Sequence, residues 1–95
     1  MRILIVEDEL VTAMSMEEHL RQIGYGVVGV ARNYPEAMHL LDVESPDLAV
    51  VDVELRGSAD GIAVTRDMLR HKAMPIIYLT GHKERDVFER AKHTH

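Results

Sequence analysis

The sequence has no cysteine and no tryptophan, and it holds only three prolines and six glycines. Without cysteine there is no disulfide framework and no thiolate chemistry, which suits a reducing cytoplasmic setting. No apolar run approaches the ~20 residues that a membrane-spanning helix needs, so no membrane association is expected. A signal peptide is not expected either, because Glu7, Asp8 and Glu9 follow only a few apolar residues. Positive charge is also scarce: eleven Lys and Arg stand against sixteen Asp and Glu, for a formal net charge of −5. Nucleic-acid binding draws much of its affinity from basic side chains neutralising phosphates, so this segment is not expected to bind DNA directly. What remains is a chain of 95 residues, 46% of them hydrophobic, enough for one domain with one core.

Four short apolar runs recur at wide spacing: Ile3-Leu4-Ile5-Val6, Val27-Val28-Gly29-Val30-Ala31, Leu48-Ala49-Val50-Val51 and Ile76-Ile77-Tyr78-Leu79. They are continuous, not alternating, and three are rich in β-branched residues, the pattern of parallel strands covered on both faces. Between them lie segments of helical period. Ala13, Met16, Leu20 and Ile23 form one inward face, closed by Gly24 at a C-cap. A second helix starts near Asn33, with Pro35 in its first turn, Glu36 placed to meet the freed amides, Ala37, Leu40 and Leu41 inward, and Pro46 closing it. A third runs from about Gly61 to Lys72 with Ile62, Met68 and Leu69 inward. A fourth runs from about Lys83 to His93 with Val87, Phe88 and Ala91 inward. Alternating strands and helices without repeats or linkers predict a single doubly wound α/β domain over residues 1–95.

In an open parallel sheet the functional crevice lies beyond the carboxyl ends of the strands. The first strand is followed by Glu7-Asp8-Glu9, the third ends at Asp52 and the fourth at Thr80-Gly81; the second is followed by nothing comparable. If the first and third strands are neighbours, Glu7, Asp8 and Asp52 crowd one small site, where mutual repulsion disfavours charging all three unless a cation sits among them. An all-oxygen donor set suits Mg²⁺ better than zinc, and no histidine pair has zinc-like spacing. A carboxylate beside a divalent cation and a hydroxyl is also placed to form an acyl phosphate, with Asp52 attacking phosphorus and Thr80 helping to neutralise the transferring oxygens.

These segments, together with Pro46-Asp47 ahead of the third run, Asp60-Gly61, and Pro75 ahead of the fourth, resemble the successive signatures of response-regulator receiver domains, in order and over nearly the whole chain. The resemblance implies a flavodoxin-like sheet of strand order 2-1-3-4. It implies an acid pocket of Glu7 and Asp8, Asp52 as phosphoacceptor and Thr80 as the switch hydroxyl, with Mg²⁺ held by Asp8, Asp52 and the backbone carbonyl of Glu54. It further implies a sensor histidine kinase or phosphotransfer protein as partner, with phosphorylation acting as a conformational switch and no enzymatic activity beyond self-catalysed phosphoryl transfer and hydrolysis.

The sequence departs from the family pattern in two places. The expected fifth strand ending in Lys-Pro, and the fifth helix, do not appear before His95, and none of Lys72, Lys83 or Lys92 takes the place of that lysine. The fourth strand is then expected at a sheet edge, open to dimerisation or strand exchange. The loop after Asp52 is one residue longer than usual and lacks the common proline. Two other functions stand beside the first: a receiver-like interaction module that no longer switches, and a phosphatase with an aspartyl nucleophile. The second rests on a loose resemblance of Asp52-Val53-Glu54 to haloacid-dehalogenase-like enzymes, which want an aspartate where Glu54 stands. Plainer roles suffice elsewhere. Glu9 suits a helix start, Asp60-Gly61 suits a turn, the six histidines suit the surface, and the six methionines suit core gaps.

Overall fold

The apolar runs extend because β-branched residues fit a pleated surface packed on both sides. In the computed structural model, which describes residues 1–52 and 61–79, they form β1 (Arg2–Val6), β2 (Gly26–Ala31), β3 (Leu48–Asp52) and β4 (Ile76–Leu79). All ladders are parallel and the strand order is β2-β1-β3-β4. The three described helices are α1 (Leu10–Gln22), α2 (Tyr34–Glu44) and α3 (Gly61–His71). The expected fourth helix, Asp60, Glu54 and Thr80 lie outside the described residues.

The core has two layers, one on each face of the sheet. Ile3, Ile5, Val27 and Val50 pack with Met16 and Leu20 of α1. On the other face Leu4, Val6, Ala31, Ala49 and Val51 pack with Ala37 and Leu41 of α2 and Val64 and Met68 of α3. Helices on both faces of a parallel sheet of this order make the fold flavodoxin-like and doubly wound. The central strands β1 and β3 are buried on both sides as expected. The outer strands are less so: Ile77 and Tyr78 of β4 are 50% and 41% exposed, because β4 is an edge among the described residues.

Local chemistry sets the helix ends. Gly24, at φ +101°, occupies the left-handed conformation that costs other residues most. Its N–H reaches the carbonyl of Arg21, and the N–H of Tyr25 reaches that of Leu20, which completes a Schellman closure of α1. At the start of α2, Asn33 Oδ1 accepts the N–H of Glu36 at 3.0 Å, and Glu36 Oε1 accepts the N–H of Arg32 at 2.8 Å. Ser45 ends α2 at φ 44°, followed by buried Pro46.

Two residues expected to face inward do not. Ile23 is the C-cap of α1, past its last turn, and is 55% exposed. Leu69 is 43% exposed because Val64, Thr65 and Met68 already turn the inward stripe of α3 to the sheet, and a residue adjacent to Met68 points about 100° away. The pairing of β1 with β2 shifts by one between Ile3 and Leu4, so that Val27 faces Ile3 while Gly29 faces Leu4. Val28 is thus the extra residue of a bulge. A Cβ on Gly29 would stand 2.9 Å from Leu40 Cδ1, so any larger residue there would make the Leu40 side chain shift for α2 to settle on β2.

Candidate functional site

Because β1 and β3 are adjacent and in register, with Val6 opposite Val51, the residues that leave their carboxyl ends emerge side by side. Asp52 is the last residue of β3 and is buried; Glu7 directly follows β1, is buried, and donates its backbone N–H to the carbonyl of Ala31 at 2.9 Å. Asp8 is half-buried beside them. One carboxylate oxygen from each of Glu7, Asp8 and Asp52 falls within 4.8 Å of the others. At an effective dielectric of about 20, each like-charged pair at that separation repels by roughly 3 kcal/mol. The fold thus gathers three acidic side chains at one point.

The donor set suits Mg²⁺. It offers only hard carboxylate oxygens, one from each of three side chains gathered within 4.8 Å, the ligand type that Mg²⁺ takes. Glu9 does not join the group: it is the N-cap residue of α1, and its Oε1 accepts the Thr12 hydroxyl at 2.7 Å. Lys72 is remote from this end of the sheet, where its Nζ donates to the carbonyl of Pro46 at 2.7 Å, at the entry to β3.

A residue passed over in the sequence also lies here. Arg32, immediately after β2, lines a cavity of about 330 Å³ together with Asp8, Asn33 and Glu36. The end of β2 carries no acidic signature, so nothing in the chain order singles Arg32 out. Only the adjacency of β2 to β1 brings it to the site.

A sheet of order 2-1-3-4 whose two central strands deliver three carboxylates to one crevice defines a flavodoxin-like domain with an acidic pocket. Comparison with known proteins carries this to the family. The chain belongs to the response regulator receiver domain family, whose family model matches residues 3–95. It is similar to the transcriptional regulatory protein PdtaR of Mycobacterium tuberculosis, at 38% identity over 91 residues, covering 96% of this chain and 44% of that protein. Its fold is similar to the crystal structure of the response regulator PhyR from Brucella abortus, with a TM-score of 0.81 and 34% identity over 88% of this chain and 35% of that one. PhyR of Bartonella quintana, solved in complex with the anti-sigma factor NepR, matches with a TM-score of 0.76 and 31% identity over 85% of this chain and 37% of that one. The chain thus spans less than half the length of these relatives. Among the described residues, no helix is long and apolar enough to cross a membrane.

Proposed function

We propose that residues 1–95 form a phosphoryl-accepting receiver of two-component signalling, with Asp52 as the acceptor. The observation that supports this most is the convergence of Asp52 with Glu7 and Asp8 at the carboxyl ends of neighbouring strands. A carboxylate oxygen of Asp52 attacks the donor phosphorus and forms an O–P bond. The P–N bond of a phosphohistidine, or the P–O bond of a small acyl phosphate, breaks, and the leaving group departs with the electron pair. Asp8, Asp52, Glu7 and the backbone carbonyl of Glu54 are the proposed holders of Mg²⁺, which when bound supplies charge neutralisation on the transferring oxygens. Thr80 is the proposed switch hydroxyl. The donor partner is a sensor histidine kinase or phosphotransfer protein in the cytoplasm, and the net charge of −5 disfavours direct contact of this segment with DNA.

The test is intact mass after incubation with Mg²⁺ and acetyl phosphate. A single phosphoryl adduct on the wild type and none on Asp52→Asn is expected. Equal labelling of the variant would reject the assignment of the acceptor.

A second reading, an interaction module that binds a protein partner without switching, draws on the Bartonella quintana PhyR complex with NepR. It is favoured if the folded wild type takes no phosphoryl group.

A further inference from the structure

Arg32 is the cation that the fold sets against the acidic pocket from the side. It follows the last pair of the β1–β2 ladder, Val6 with Ala31, and the Ala31 carbonyl itself accepts the N–H of Glu7. The other arginines near an end of the sheet are engaged: Arg2 bonds Glu44 at 2.9 Å and Arg70 bonds Asp67 at 3.3 Å. Arg32 is not. Its natural partner four residues on, Glu36, spends a carboxylate oxygen on the backbone N–H of Arg32, and Asn33 caps the N–H of Glu36, so the helix start holds both flanking polar groups. Among the described residues, no hydrogen bond or ion pair engages the Arg32 guanidinium, and Arg32 lines a cavity together with Asp8.

An exposed arginine is ordinary in itself; one that shares a cavity with Asp8, itself grouped with Glu7 and Asp52, is not. Asp52 and Arg32 leave strands that flank β1 on either side, about two strand spacings or 10 Å apart. Arg32 shares its cavity with Asp8, which offers a carboxylate oxygen within 4.8 Å of one from Asp52. A guanidinium offers a planar fork of donors matched to phosphoryl oxygens. Within the acidic crevice, a doubly negative donor needs such a group to offset the repulsion of the carboxylates.

We propose that Arg32 binds the phosphoryl group of the incoming donor, a role that rests on the reading of Asp52 as acceptor. The transfer is unchanged: the O–P bond to Asp52 forms as the P–O bond to acetate breaks, and acetate leaves with the electron pair. Arg32 holds oxygens of the moving group and neither gives nor takes a proton, since it stays charged throughout.

The experiment compares wild type, Arg32→Ala and Arg32→Lys in two measurements. The first is the phosphorylation rate against acetyl phosphate concentration, by intact mass. The second is the Mg²⁺ dissociation constant from titration calorimetry at low ionic strength. The cap bonds at Arg32 use its backbone, so both variants keep the start of α2. Arg32→Ala is expected to lower the slope of rate against donor concentration about ten-fold, with Arg32→Lys partly restoring it. The same Arg32→Ala change is expected to tighten Mg²⁺ about two- to four-fold, because a positive charge has left the neighbourhood of the ion. These opposite signs separate substrate binding from a structural role, which would weaken both together. A labelled wild type with an unchanged slope in Arg32→Ala overturns the role of Arg32 alone, as does a parallel loss of Mg²⁺ affinity. A folded wild type that takes no label overturns the acceptor reading and this one with it.

Discussion

The two ends of the sheet treat charge in opposite ways. Where the strands begin, charges are matched. Arg2 donates its backbone N–H to Asp47 Oδ2 at 2.9 Å, its guanidinium meets both the carbonyl and the side chain of Glu44, and Lys72 meets the Pro46 carbonyl. The N–H of Asp47 returns to the carbonyl of Arg2 at 2.8 Å, so the entry to β3 is tied to β1. Where the strands finish, three carboxylates are pressed within 4.8 Å of one another, two of them buried. One end contributes stability through complementary partners, and the other concentrates three carboxylates of like sign. The difference sets the two ends apart on geometry alone, independently of any relative.

The largest expected effect lies on the strained end. Asp8→Asn removes one of three oxygens offered to Mg²⁺ and should weaken its binding by at least about ten-fold, measured by titration calorimetry. Next, Asp52→Asn relieves repulsion. In chelator its melting temperature should rise by roughly 4–8 °C, the equivalent of about 1 kcal/mol, and saturating Mg²⁺ should erase the advantage by stabilising the wild type more. A variant less stable than wild type in chelator would break the contrast drawn between the two ends. On the matched end, Arg2→Ala should cost only about 0.5–1 kcal/mol in urea denaturation, since the ion pair with Glu44 is roughly half exposed. It should leave phosphorylation by acetyl phosphate unchanged.

The smallest effect concerns a link between helices on one face. The Tyr34 hydroxyl at the start of α2 donates a hydrogen bond to Asp67 of α3, and this bond raises the phenol above its ordinary pKa of 10.0. A raised pKa means that the bond's contribution is complete below pH 10 and is lost as pH climbs through the folded value. Tyr34→Phe should therefore lower the melting temperature slightly at pH 7, and the difference from wild type should shrink above pH 10. A difference that persists unchanged in alkali would assign the loss to packing, not to the hydrogen bond.

The strands were legible in the sequence because continuous β-branched runs have few other uses, and the observed bounds differ from the apolar runs by a residue at most. Glu7, Asp8 and Asp52 were legible for a similar reason: parallel topology sends every strand's carboxyl end to the same side, so chain position alone brings them together. Periodicity placed α1 and α3, and the limits of α3 to within a residue, but not which residues face inward. It could not tell that Ile23 falls beyond the last turn, or that Thr65 takes an inward place and Leu69 does not, since both choices follow from how α3 is rotated against the sheet. The Tyr34–Asp67 bond and the cavity at Arg32 depend on contacts between elements that no local pattern encodes.

The bulge at Val28 acts as a shim. By placing two successive residues, Val28 and Gly29, toward α2, it takes up one residue of chain before β2 reaches its end. Were Val28 deleted, the ladder could regain continuous pairing only if everything after it advanced by one position along β1, about 3.3 Å. Arg32 would then sit at a different height beside the carboxylates, and the glycine that admits Leu40 would no longer lie beneath it. Among homologous chains, insertions or deletions at this point of β2 would tune the reach of whatever residue follows the strand, without touching the pocket itself.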